Sequence, residues 1–361
     1  MKLEECIEIG KSCGLTTIGE CYYNIYLHAN SIFGYGEISK ELNELQKDIF
    51  YHDPDLFCRI FNSDKNELLA KGWKIKGEND IKNPAGRNSH YFIDSNDRAK
   101  KARKHTEEME YRCSLIIKDC VATTKMYSPD TKFQSEENID SKGKPDLKVV
   151  QTDSVSAVLK AVEQYDQRDH LPESRIAVLN FASYKNPGGM FIEGSKAQEE
   201  CLCHESTLYN VLSRFDDSYY AWNRKHLNRA LYLNRALYSP AVFFERKLED
   251  GSTAGCTCDV ITCAAPNYWA AKKYQNVSAE ENSKVLESRI KFILDIARDN
   301  HVDTLILGAF GSGVFGQNAT EVAFLFSKYL RMPEYWCLSN IIFAVIDKIN
   351  YEKMIKGIEM N

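Results

Sequence analysis

The chain has 361 residues, of which 43% are hydrophobic and 27% charged, with only 9 prolines. That balance excludes a disordered or fibrous protein, and the length suits one large domain with an appendage or two modest domains. A net charge of −5 provides no basic field to attract duplex DNA, although backbone amides and helix N-termini can still hold a small polyanion.

Residues 1–80 mix short apolar stretches with glycines and charges. Within them Glu41-Leu-Asn-Glu-Leu-Gln-Lys-Asp-Ile-Phe has helical apolar spacing, so a mostly helical N-terminal module is expected. The opening Met-Lys-Leu-Glu-Glu-Cys is acidic and no apolar stretch follows it. The longest apolar runs, such as 305–310 and 341–346, fall far short of the roughly 18 residues that cross a bilayer. A cytoplasmic protein with no membrane partner is therefore expected, its 12 cysteines reduced and behaving as small apolar residues. Cys6, Cys13, Cys21 and His28 contain no Cys-x-x-Cys pair, and buried thiols are favoured over a metal site.

Residues 96–126 carry few breakers and predict one long helix or two, with Asp97 as the cap and Lys104 facing Glu108 one turn on. The basic cluster Arg98, Lys100, Lys101, Arg103 and Lys104 runs straight into Glu107, Glu108 and Glu110. That reads as a solvated helix face rather than a nucleic-acid patch. Residues 127–148 read as a loop, Leu147-Lys-Val-Val as a short strand, and Asp153 as the cap of a helix over 154–165.

Arg175-Ile-Ala-Val-Leu-Asn-Phe-Ala-Ser is a nearly continuous apolar run, as expected of a strand covered on both faces. Asp259-Val-Ile-Thr-Cys-Ala-Ala-Pro and Thr304-Leu-Ile-Leu-Gly-Ala-Phe repeat the pattern, separated by an amphipathic helix over 281–300. A last strand, Asn340-Ile-Ile-Phe-Ala-Val-Ile, follows a helix over 320–330. The alternation predicts an α/β fold with a parallel or mixed sheet over about 145–350. The doublet Asn228-Arg-Ala-Leu-Tyr and Asn234-Arg-Ala-Leu-Tyr is too short for a repeat architecture.

In an open α/β sheet the ligand lies beyond the carboxyl ends of the strands. Two loops there stand out. The first is Tyr184-Lys-Asn-Pro-Gly-Gly-Met-Phe-Ile-Glu-Gly-Ser-Lys-Ala-Gln-Glu-Glu, whose paired glycines allow close backbone approach. Its acidic triplet opens a helix expected to run through Tyr209. Neighbours on a helix diverge by about 100°, so Glu199 and Glu200 are not expected to point at one atom, and at most one is the principal catalyst. The bland reading is that both carboxylates favour the positive helix end, at about 0.3–1 kcal/mol each. The second loop, Gly311-Ser-Gly-Val-Phe-Gly-Gln-Asn, sets three glycines between strand and helix as a cradle of amides for phosphate. Gly311, Gly313 and Gly316 match the dinucleotide fingerprint, but the loop comes late in the chain, which disfavours a nicotinamide enzyme. Cys201, Cys203 and His204 share one helix in a spacing that cannot pair thiol with imidazole, and Cys256, Cys258 and Cys263 read as buried strand thiols rather than metal ligands.

Together the two loops, with Val178-Leu-Asn-Phe-Ala-Ser, Ala99-Lys-Lys-Ala-Arg-Lys-His-Thr-Glu and Ile261-Thr-Cys-Ala-Ala-Pro-Asn, resemble the microbial-type poly(ADP-ribose) glycohydrolases, whose catalytic domain is a macrodomain. Their signature is three glycines, a short spacer and Gln-Glu-Glu. Here Met190 stands at the third glycine, where a side chain would crowd the ligand or fold away from it. The likeness covers about 98–347. It implies a macrodomain-like mixed sheet flanked by helices in a catalytic domain over 96–361, preceded by a mostly helical accessory region over 1–95.

The resemblance implies that Glu200 is the catalytic acid and base, that Glu199 holds the ribose, and that Gln198 supports them from behind. It gives the diphosphate to Gly311, Ser312, Gly313, Val314, Phe315 and Gly316, with Phe315 packing on the sugar and the amides of Val314 and Phe315 facing phosphate. Asn186, Gly188 and Gly189 would line the distal ribose, and Ser183 stands where related macrodomains place a ribose-binding Asn. The implied reaction is hydrolysis of the ribose–ribose bond of poly(ADP-ribose), mainly from the chain end, with ADP-ribose as product. No metal or organic cofactor is implied, and the expected partners are the polymer or ADP-ribosylated proteins rather than specific nucleic-acid sequences. The alternatives are a macrodomain hydrolase that removes single ADP-ribose units, and a non-catalytic ADP-ribose reader.

Overall fold

The computed structural model describes residues 89–133, 142–166, 175–248 and 250–360, within one unit spanning Ser89–Asn361. The expected helical module and the Cys6–His28 series lie outside the described residues.

The continuous apolar runs become strands whose side chains alternate between two cores. In β3 (Arg175–Phe181) Ala177 and Leu179 enter one core and Val178 the other. In β6 (Val302–Leu307) Leu305 and Leu307 part from Ile306 in the same way. A strand that feeds two cores has no polar face to show, which is why these segments lack a period-2 pattern. With β1 (Lys125–Tyr127), β2 (Asp146–Val150), β4 (Ala236–Lys247), β5 (Thr253–Cys263) and β7 (Asn340–Ala344) they form a seven-stranded mixed sheet, ordered β1-β4-β5-β3-β6-β7-β2. Pairings from β5 through β3, β6 and β7 to β2 are parallel, and β4 pairs antiparallel with β1 and β5.

One face is covered by α1 (Ser89–Arg112), α2 (Ser114–Thr123), α3 (Ser154–Asp166), α4 (Gln198–His204) and α5 (Leu208–Leu212). After the short α6 (Tyr268–Gln275), the other face is covered by α7 (Ala279–Asp299), α8 (Ala319–Leu330) and α9 (Lys348–Glu359). Side-chain caps start several of these helices, at Asp153 as the sequence predicts. Asp153 Oδ1 accepts from Ser156 N at 2.9 Å, and Ser278 Oγ accepts from Glu281 N at 3.1 Å. Among the described residues, no helix is long and apolar enough to cross a membrane.

Two expectations need correction. Asp97 does not cap a helix, because α1 begins at Ser89 and Asp97 lies inside it. The helix after the acidic triplet ends at His204 rather than running through Tyr209. There the chain turns to pair with β4: Glu245 N donates to Glu205 O at 2.8 Å, Thr207 N donates to Phe243 O at 2.9 Å, and Ser206 bridges Phe244. The first copy of the Asn-Arg-Ala-Leu-Tyr doublet is a turn with Asn228, Arg229, Ala230 and Tyr232 at positive φ, whereas the second enters β4. Identical pentapeptides thus take opposite conformations, and the surroundings decide between them. Buried Arg289 holds this region in register, donating through Nε to Asn234 Oδ1 at 2.7 Å and through its other nitrogens to the carbonyls of Ala264 and Leu231.

Candidate active site

Neighbouring parallel strands β3 and β6 end at one edge of the sheet, and both glycine loops leave from there. After β3, Ala182 N donates to Cys263 O at 3.1 Å, which keeps the chain in the sheet for one more residue. Ser183 then opens a turn, its Oγ accepting from Asn186 N at 3.2 Å, and Gly189 N closes it on Asn186 O at 3.1 Å. Gly188 and Gly189 take φ of +65° and +63°, a region that glycine enters without the steric cost of a β carbon. The space is as restrictive as the torsion. A β carbon on Gly188 would lie 2.7 Å from the Tyr209 ring, and one on Gly189 would lie 2.5 Å from Glu200 Oε1 and 2.9 Å from Glu199 Oε2.

The two carboxylates therefore meet over Gly189, contrary to the divergence expected of neighbours on a helix. The α carbons do diverge, but two long side chains in the first turn can both reach the same loop. Nor do the carboxylates simply decorate the end of α4. Glu199 Oε2 accepts from Ser183 N at 2.7 Å and its Oε1 from Asn180 Nδ2 at 3.1 Å, while Glu200 Oε1 accepts from Met190 N at 2.9 Å. Both side chains are buried. Glu200 Oε2 alone is left over, buried and without a hydrogen-bond partner among the described residues. Burial pushes the Glu199 carboxyl up to about 8; the charge of Glu200 adds to the rise, and the bonds from Ser183 and Asn180 oppose it.

Gln198 stands behind the pair with its amide fully engaged: Oε1 accepts from Phe181 N at 2.8 Å, and Nε2 donates to Leu179 O at 2.9 Å and Ser154 Oγ at 3.1 Å. It ties α4 to the end of β3. Met190, the departure from three glycines, directs its amide at Glu200 while its side chain is 55% exposed. Asn186 is exposed at the turn.

Sequence reasoning passed over Asn180, Thr262 and Tyr220. Asn180 is fully buried in β3 and bridges Glu199 to Thr262 Oγ1, at 3.3 Å from the latter. A polar residue inside an apolar strand was the available signal. Tyr220 is fully buried, its hydroxyl without a hydrogen-bond partner among the described residues, and burial raises its pKa well above the usual value, with the Glu199 charge adding to the effect. The buried Cys203 thiol is a poor nucleophile, since burial raises its pKa well above the usual value.

The second loop is shaped by Gly311 and Gly316, both at φ +72°. A β carbon on Gly311 would lie 2.6 Å from Ala265 Cβ, whereas one on Gly313 would meet nothing within 4 Å. The loop closes through Gly316 N to Gly313 O at 3.1 Å and Gln317 N to Gly311 O at 3.0 Å. Among the described residues the amides of Val314 and Phe315 have no protein acceptor, and Ser312 Oγ is buried without a partner. Aromatic contacts join the loops. Phe181 meets Phe310 edge-on at 5.7 Å, and Phe315 packs on Tyr232, which stacks on Tyr184 at 4.2 Å. Beyond them, at the ends of β2 and β7, lies a pocket of about 180 Å³ lined by Asp153, Phe181, Gln198, Ala309 and Val345 among others.

Residues 96–247 match the family model for the microbial-type PARG catalytic domain, a span that includes both carboxylates and ends before the second loop. No curated protein matches the chain. Among solved structures, the poly(ADP-ribose) glycohydrolase of Thermomonospora curvata is 25% identical with a TM-score of 0.63, covering 73% of this chain and 99% of its own. The same enzyme bound to the inhibitor ADP-HPD is 26% identical with a TM-score of 0.60, covering 72% and 99%. The Deinococcus radiodurans enzyme in complex with ADP-ribose is 28% identical with a TM-score of 0.58, covering 68% and 97%.

Proposed function

From a chain whose residues 96–247 carry a microbial-type PARG catalytic domain on the fold of bacterial poly(ADP-ribose) glycohydrolases, we propose a hydrolase that cleaves the ribose–ribose O-glycosidic bond of poly(ADP-ribose), with Glu200 as its acid and base. The sheet is read as a macrodomain, and the protein as cytoplasmic.

The observation that carries the assignment of Glu200 is the difference between its two oxygens. Oε1 is fixed by Met190 N, and Oε2 is buried and unengaged, whereas both oxygens of Glu199 are bonded to protein. A general acid needs one oxygen that orients it and another that is free to carry the proton. In the proposed step Glu200 Oε2–H protonates the ribose oxygen that leaves with the shortened chain, and the C1–O bond breaks to an oxocarbenium ion. Water then adds to C1 and returns its proton to Glu200. The released unit is ADP-ribose.

Glu199 and Asn180 would hold the distal ribose in place, and the free amides of the 311–316 loop would take the diphosphate. The diphosphate's own charge lies beside the cationic transition state, which reduces the need for a second carboxylate across the bond. The pocket beyond β2 and β7 is assigned to the adenosine end, since Phe181 and Ala309, at the starts of the two glycine loops, line its wall. Exposure of the Met190 side chain leaves the glycine turn open to the ligand.

The deciding experiment assays labelled poly(ADP-ribose) beside a mono-ADP-ribosylated protein, with wild type and Glu200→Gln. Release of ADP-ribose from the polymer that vanishes in the variant, with ADP-ribose binding retained, is expected. Turnover of the mono-modified protein alone, or a variant of near-normal activity, would refute the assignment.

A further inference from the structure

The proposed reaction leaves unused a surface that flanks the 311–316 loop. Trp269 and Tyr274 on α6 are 52% and 63% exposed, and Val314 at the loop is 82% exposed. Large apolar groups clustered in solvent beside a ligand site point to a partner that covers them. The main chain of Trp269 is anchored to the loop. Trp269 N donates to Phe315 O at 3.1 Å, and a β carbon on Gly316 would lie 3.3 Å from Trp269 Cβ. Positive charge accompanies the rings. Lys273 Nζ lies 4.5 Å from the Trp269 ring centre and 5.1 Å from that of Tyr274, and Lys272 Nζ lies 5.8 Å from that of Tyr268.

We propose that Trp269, Tyr274, Lys272 and Lys273 form a second nucleotide subsite, which holds the adenine and diphosphate of the ADP-ribose unit adjoining the one in the cleavage site. The inference rests on the reading of the 311–316 loop given above. Each further unit of the polymer brings a purine with two π-faces and a diphosphate with two negative charges. Exposed aromatic rings beside ammonium groups bind such a strand by stacking and charge, without reading sequence. A single ADP-ribose ends in the first site, so only a chain reaches the second, and the surface adds affinity for polymer alone.

The test measures binding of labelled ADP-ribose oligomers, and of free ADP-ribose as competitor, in a Glu200→Gln background, with a gel reporting any shortening of the oligomer. Trp269→Ala is expected to weaken oligomer binding about 5- to 150-fold, the range for one lost base stack, and to leave ADP-ribose binding within about twofold. Lys272→Glu with Lys273→Glu changes only exposed side chains, so folding is preserved. It should weaken the oligomer likewise and reduce the salt slope of log Kd by about 1.4, for two lost phosphate contacts. Unchanged oligomer binding in both variants, or equal loss of both ligands, would overturn the subsite. An adenine-rich RNA that binds as tightly as the oligomer, with the same dependence on Trp269, would overturn its assignment to ADP-ribose. Failure of free ADP-ribose to bind any form would instead refute the reading of the first site.

Discussion

Gly189 and Glu200 are packed so closely that a single methyl group would separate them: a β carbon on the glycine would lie 2.5 Å from the carboxylate oxygen. The contact explains why the turn preceding α4 needs glycine at this position, since the same substituent would also meet Glu199 at 2.9 Å. Gly189→Ala should therefore displace both carboxylates by a few tenths of an ångström or more. A loss of about 100-fold in kcat/KM on polymer is expected, as misplacement of catalytic groups typically causes. Met190→Gly removes only an exposed side chain and keeps the amide that holds Glu200, so activity within about two- to threefold of wild type is expected. Equal losses in the two variants would show that the glycine contact is not what positions the pair.

Glu199 links the site to stability through pH. Burial raises its pKa from 4.5 to about 8, so the fold favours the protonated carboxyl. The stabilisation is fully present below the unfolded value and is lost as pH rises towards the folded one, at about 1.4 kcal/mol per pH unit between them. Glu199→Gln, neutral at every pH, should flatten that decline, so that its stability relative to wild type rises by a few kcal/mol from about pH 5 to about pH 9. Urea midpoints across that range check this, and parallel curves would refute it.

Much of this arrangement is legible in the sequence, and the parts that are not have physical causes. β3, β6 and β7 announce themselves because both faces are buried, and the two glycine loops stand where strands end. β4 escapes notice because Pro240 and the positive φ of Ala241 sit in a register shift between Ser239 and Val242, which breaks its alternation. The short end of α4 depends on pairing with that strand, so local propensity could not reveal it. The meeting of Glu199 with Glu200 depends on where a loop from another element passes, which helical geometry alone does not contain.

Asn180 offers a second way into the carboxylate pair. Its Nδ2 donates to Glu199 at 3.1 Å from a fully buried position. Asn180→Ala should cost about 1–3 kcal/mol of stability by leaving that oxygen unsatisfied. Asn180→Asp is expected to do more, because it sets a third acidic group against the pair. Its stability should fall more steeply than wild type as pH rises, with activity reduced at least about tenfold at neutral pH. A wild-type pH profile for Asn180→Asp in both stability and turnover would remove Asn180 from the site.

The second loop can be tested by two glycines that differ in what surrounds them. Gly311 has φ +72°, and a β carbon there would press on Ala265 at 2.6 Å and Gln317 at 2.9 Å. Gln317 cannot yield freely, since its buried amide donates to Pro266 O at 2.7 Å and to Asn282 at 2.9 Å. Gly311→Ala should therefore lose about 1–3 kcal/mol of stability through backbone strain and overpacking. Gly313 has open space around it, so Gly313→Ala should melt at the wild-type temperature. If the diphosphate lies on this loop, the added methyl projects into the space the ligand needs, and ADP-ribose affinity should fall about tenfold, or about 1.4 kcal/mol. A Gly313→Ala protein with unchanged stability and unchanged ADP-ribose affinity would move the diphosphate away from these amides, and the second nucleotide subsite on Trp269 would go with it.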